Sequence, residues 1–206
     1  MATLTQKPED VTTTWADRVI ERFIPQADVT DYHETLIHAP ADVVFEVAQN
    51  IDLQSIPLVR ALFWLRAKVL RATPPPPRVS PKGLVAETTA LGWGVLAERS
   101  GRELVVGAVT QPWKADVVFT PIAPDRFLEF SKPDHVKIVW TLEAEPIRPA
   151  LTRFRTETRV LATDEEARRK FWSYWRWARF GIVLIRLLML PSLRREAQRH
   201  QPMRGS

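Results

Sequence analysis

Apolar positions recur along this chain with two different steps, and the change of step divides it. Between residues 163 and 199 the step is three or four. Ala167, Phe171, Tyr174, Trp175, Ala178, Ile182, Ile185 and Met189 fall on one face of a long helix. Thr163-Asp164-Glu165-Glu166 reads as its capping box, with the Thr163 hydroxyl at the N-cap and the Glu166 carboxylate three residues on. Upstream, in residues 84–162, the step is two. Val136, Ile138, Trp140 and Leu142 alternate with His135, Lys137, Val139 and Thr141. Phe154, Thr156, Thr158 and Val160 alternate with Arg153, Arg155, Glu157 and Arg159. That is the pattern of strands with one face inward and the other charged and wet. Strands are predicted over 84–91, 94–98, 103–111, 115–119, 126–130, 136–143 and 152–161. Turn residues at Ser100-Gly101, Ala123-Pro124-Asp125 and Lys132-Pro133-Asp134 separate several of them.

The first third is mixed. Thr14 is placed to cap a short amphipathic helix over 15–23, which Pro25 stops. Residues 30–38 read as a strand. Pro40 suits the first turn of a helix that buries Val43, Val44, Val47 and Ala48. A second helix is predicted from Pro57, lined by Leu58, Leu62, Phe63, Leu65, Val69 and Leu70. Four consecutive prolines, Pro74 to Pro77, rule out a helix or a central strand there and predict a stiff surface connection. The order is strand, two helices, several antiparallel strands and a long terminal helix. This predicts an α+β fold in which a curved antiparallel sheet of six to seven strands wraps the terminal helix. The expected organisation is a tail with a short helix over 1–27, one domain over 28–199 and a disordered end over 200–206.

Charge refines this picture. The net charge of +5 is unevenly placed: residues 168–206 hold ten Lys or Arg against the single acid Glu196, so the rest of the chain is net negative. The basicity therefore belongs to the terminal helix and tail. Arg176, Arg179, Arg186, Arg194 and Arg195 offer a contact for an anionic membrane surface, and a homodimer contact and wrapping by the N-terminal helix are the alternatives for the same apolar helix flank. Bulky aliphatics share that helix and no recognition motif is present, so nucleic acid is not expected. The chain has no cysteine, which excludes disulfides and thiolate chemistry. Residues 1–10 are polar and carry no apolar leader, and the longest apolar stretch, 180–190, is too short to span a bilayer. A cytoplasmic protein is expected, with peripheral membrane contact as a further option.

His38-Ala39-Pro40-Ala41-Asp42-Val43-Val44-Phe45-Glu46-Val47, placed after a strand, resembles the opening motif of the START/Bet v 1-like superfamily, which includes polyketide cyclase-like and lipid-transport proteins. The element order is similar to the helix-grip fold of that group. Locally, residues 57–62, 102–107 with Trp113, and 156–160 with 162–164 resemble bacterial members. The likeness runs over about residues 28–190. It implies a cavity between sheet and terminal helix that takes a hydrophobic small molecule or lipid. Phe63, Trp113, Phe130, Ile138, Trp140, Phe154, Thr156, Thr158, Phe171 and Trp175 are the candidate lining. The short helix over 15–23 is a departure from the minimal fold.

Candidate chemistry is sparse. His33 and His38 differ by an odd number on a strand and face opposite sides, so no metal site is expected. No nucleophile elbow or phosphate loop is present, and no cofactor is expected. Glu87 shares a strand face with Thr89; turned inward, its carboxyl would be an acid of raised pKa. A cyclase- or dehydratase-like enzyme using that acid is the alternative to a carrier.

Overall fold

A computed structural model describes residues 19–52, 68, 71 and 82–199. Among them the chain runs from a 3-10 turn, Val19–Arg22, into strand β1, Val29–Ile37, and helix α1, Ala41–Asn50. Helix α2, Leu84–Ala90, precedes strands β2, Gly94–Arg99, and β3, Glu103–Thr110. A short helix α3, Pro124–Phe127, leads to β4, Val136–Arg148, β5, Leu151–Ala162, and the terminal helix α4, Glu165–Arg199. The strands form one antiparallel sheet in the order β1-β5-β4-β3-β2. A curved five-stranded sheet held against a long terminal helix is a helix-grip α+β fold. The predicted second helix, with Phe63, and the proline run lie outside the described residues.

Three predicted strands are absent, which brings the count to five. Residues 84–91 are helical instead. Gly83 and Gly92 bracket the helix at φ 102° and 104°, conformations open to glycine, and a Cβ on Gly92 would sit 2.3 Å from the Phe119 carbonyl oxygen. Thr88 and Thr89, which favour a strand by propensity, return their hydroxyls to the Leu84 and Val85 carbonyls inside the helix. Residues 115–119 form no strand; the ladder there is a single bridge between Thr120 and Val109. Residues 126–130 contain the end of α3, because Pro124 enters at its first turn, where a missing N–H costs nothing. The terminal helix runs through Pro191 to Arg199, as its predicted span requires.

The cap of α4 differs from the expected box by one residue. Asp164, not Thr163, is the cap: its Oδ1 accepts from the Ala167 N–H at 2.8 Å. Thr163 instead clamps the β4 start. Its hydroxyl donates to the His135 carbonyl at 2.9 Å and accepts from the His135 N–H at 3.1 Å.

Packed clusters lie on both faces of the sheet. On the concave face, Ile37, Leu142 and Phe154 pack with α1 residues Val44 and Phe45 and α4 residues Met189 and Leu193. At the other end of the same face, Val29, Val136 and Val160 pack with Phe171 of α4. The convex face, expected to be wet, is so only in part: Arg153 and Arg155 pair there with the partly exposed Glu34, Glu143 and Glu145, while the 3-10 turn and α3 roof the rest. Ile20, Phe23, Ile24 and Phe127 close over Leu96, Val105 and Val139. Gly107 makes this possible, since a Cβ there would meet Leu96 at 2.5 Å and Phe127 at 3.0 Å.

Candidate functional site

The two concave-face clusters do not merge. Between them lies a belt where the inward side chains of β1, β5 and β4 are polar or only half buried, closed at its β3 end by the buried Val106. Register builds it: Asp31 of β1 pairs with Thr158 of β5, Thr158 with Trp140 of β4, and Trp140 with Val106 of β3. His33 pairs with Thr156 in the next inward row. Strand alternation sends all these side chains to the face that meets α4. Trp140, Thr158 and Ile138 stay partly accessible, while Val136 and Leu142, two positions beyond on the same strand, are sealed. From the helix side, Trp175 is likewise half buried and stacks on the buried Phe171 ring at 5.6 Å.

Inside this belt His33 Nε2 lies 3.1 Å from Asp31 Oδ1, with side-chain exposures of 24% and 17%. The carboxylate fixes the ring orientation and favours the Nε2-protonated tautomer, directing Nδ1 elsewhere as an acceptor. An imidazole so held is a proton acceptor or a hydrogen-bond partner for a ligand oxygen. The aromatic wall continues beyond Trp140. Trp93 meets it edge-on at 6.5 Å and leans on Phe119 at 5.0 Å. The belt thus combines flat apolar surface with a few oriented polar groups, the composition of a small-molecule site.

The sequence-predicted lining residues divide between the belt and its surroundings. Ile138, Trp140, Thr156, Thr158 and Trp175 come together at or beside the belt. Phe154 and Phe171 are core at 0% and 1% exposure, walls rather than lining. Trp113 sits at the end of the sheet, where with Tyr174, Trp177, Arg169 and Lys170 it lines a separate recess of about 480 Å³. Lys170 there is already paired with Asp134 at 2.8 Å and Glu166 at 3.1 Å. Phe130 follows α3 and is not on a strand; its ring meets that of His135 edge-on at 6.1 Å. Phe63 lies outside the described residues. Glu87 lies on helix α2, not on a sheet strand. Burial, with Asp52 nearby, pushes its carboxyl above the ordinary range, against the opposing pull of a Gly83 backbone hydrogen bond.

Sequence reasoning missed Asp31 and His33. Their spacing of two on a predicted strand was a usable signal, because it places both on one face.

No family model matches the chain, and no curated protein matches it. Among solved structures it is similar to the Zhui aromatase/cyclase from Streptomyces sp. R1128, at TM-score 0.29 and 14% identity, over 86% of this chain and 98% of that one. It is also similar to the di-domain ARO/CYC BexL from the BE-7585A biosynthetic pathway, at TM-score 0.32 and 15% identity, over 82% of this chain and 46% of that one. A third is Ara h 8.0201, at TM-score 0.22 and 11% identity, over 79% of this chain and 98% of that one. The chain spans about half the length of the di-domain protein. All three likenesses are distant, and the helix-grip assignment rests on the strand order and the terminal helix themselves.

Proposed function

We propose that this protein binds a hydrophobic small molecule or lipid that carries at least one hydrogen-bonding oxygen, in the belt between sheet and α4. The observation that carries this reading is the interruption of the concave core by Asp31, His33, Thr156 and Thr158 beside Trp140. A protein that needed this face only for stability would gain by filling it with aliphatics, each worth roughly 1.5–3 kcal/mol when fully buried. Apolar burial against Trp140, Ile138 and Trp175 supplies the affinity, and the polar row orients the ligand. Ligand titration followed by tryptophan fluorescence tests this. Saturable quenching by a flat or aliphatic ligand that disappears in Trp140→Ala supports it; equal binding by wild type and Trp140→Ala rejects it.

The Asp31–His33 pair favours a second reading, proton transfer on the bound molecule. His33 Nδ1 is the base, and Asp31, 3.1 Å from Nε2, orients the ring. Glu87, the acid considered from sequence, has no place on the sheet face in this scheme. His33→Gln preserves an amide hydrogen bond but not basicity. Binding retained with turnover lost is the enzyme's signature, whereas a wild-type protein inert toward every ligand it binds is a carrier.

A further inference from the structure

The outer face of α4 carries a run of exposed large apolar side chains. Trp172, Trp177, Phe180, Val183 and Leu187 are all exposed, Phe180 at 65% and Leu187 at 58%. Trp172, Phe180, Val183 and Leu187 follow three- to eight-residue steps that keep them on one side of the helix, opposite the buried Phe171, Ala178, Met189 and Leu193. Arg176, Arg179 and Arg194 interleave with that stripe and Arg195 flanks it. These four form no ion pair among the described residues; Arg179 lies over the Phe180 ring at 4.9 Å. Residues 167–195 contain eight Lys or Arg and no acid.

We propose that this face of α4 docks in the plane of an anionic lipid surface. Three arguments select lipid over other occupants. A second copy of the same face would set arginines against arginines with no acid to answer them. The stripe Trp172, Phe180, Val183 and Leu187 stands on one convex helix, outside the recess beside Trp177, and offers a protein partner little to anchor in, whereas lipid tails deform around it. Aromatic and aliphatic groups alternating with guanidinium heads match an interfacial helix, apolar groups below the headgroups and arginines among the phosphates. No helix among the described residues is long and apolar enough to cross a membrane, so the helix would lie along the surface rather than through it. This goes beyond ligand binding in the belt and does not depend on it.

Vesicle flotation with the full chain tests the proposal. Phosphatidylcholine vesicles with about one-third phosphatidylglycerol are compared with phosphatidylcholine alone, at low salt and at about 0.5 M NaCl. Binding is expected only to the anionic vesicles and is expected to fall at least about tenfold in high salt. Arg176→Glu with Arg179→Glu is expected to lower the partition coefficient by about tenfold or more, and Phe180→Ser with Leu187→Ser by a similar factor at unchanged charge. All four positions are exposed, so circular dichroism should show an unchanged fold. Equal flotation with neutral vesicles, or no effect of either pair, overturns the proposal. So does a concentration-dependent dimer in sedimentation that Phe180→Ser with Leu187→Ser dissolves, since the face would then belong to a second copy. Trp140→Ala, which should empty the belt, is expected to float like wild type.

Discussion

The two faces of the sheet both carry polar side chains and use them differently. On the convex face, Glu157, Lys137 and Arg159 are buried at 1%, 4% and 9% exposure. Their polar groups are tied into the fold. Arg159 donates Nε to Glu157 at 2.7 Å, Nη1 to the Ile24 carbonyl at 2.9 Å and Nη2 to Glu21 at 3.0 Å. Lys137 Nζ donates to the Leu128 carbonyl at 2.8 Å. These contacts bind the 3-10 turn and the α3 region to the sheet, so the polar groups act as clasps. On the concave face, Asp31 and His33 hold each other, and the surrounding Trp140, Ile138 and Thr158 stay accessible. A buried polar group enclosed by the chain stabilises or specifies the fold. A polar row left accessible between two sealed cores is available to something else.

The sharpest way to break this contrast is at Glu157. Glu157→Ala leaves Arg159 buried beside a single, half-exposed carboxylate, and a loss of about 3 kcal/mol is expected in urea unfolding. Ligand affinity of the folded fraction should not change. On the concave side the pattern inverts. Trp140→Ala is expected to weaken ligand binding by two orders of magnitude or more, an effect on the order of 3 kcal/mol. Thr158→Val, which keeps the shape and removes the hydroxyl, is expected to weaken binding of an oxygen-bearing ligand by about 1 kcal/mol.

Two smaller effects sharpen the account of the clasps. Burial lowers the Lys137 pKa below its ordinary 10.5. The unfolded chain therefore binds more protons than the native one between the lowered value and 10.5, and stability rises with pH across that window. Lys137→Met is expected to flatten this rise and to stabilise the protein at neutral pH by about 1 kcal/mol. A thermal series from pH 7 to 10 reads both. At the α4 cap, the Ala167 N–H, followed by the Asp134 N–H, holds the Asp164 carboxyl below its ordinary 3.8. Its contribution is present above the unfolded-state value and is lost as pH falls through the lowered native one. Asp164→Ala should therefore reduce the melting temperature at pH 6 and narrow the gap from wild type near pH 2.

The inward residues of β4 and β5, the terminal helix and the entry through Pro40 were legible in sequence because each repeats one period over several turns or pairs. What covers the convex face was not. Lys137, Glu157 and Arg159 alternate as solvent-facing residues do, and only the long-range return of Ile20, Ile24 and Phe127 buries them. Helix α2 was hidden by Thr88 and Thr89, whose hydroxyls find partners only once the helix exists. The candidate site was half legible: Trp140, Thr156 and Thr158 follow from alternation. Asp31 joins them only through the β1–β5 register, a non-local pairing across 127 positions that no local pattern encodes.

The central claim is that the belt holds a ligand, and native mass spectrometry of protein purified from its own source tests it most directly. The expected result is an apolar, oxygen-bearing molecule bound at about one per chain, lost in Trp140→Ala and retained in a folded convex-face variant such as Lys137→Met. Ligand-free wild-type protein, with no thermal shift across a panel of lipids and polycyclic aromatics, would contradict it.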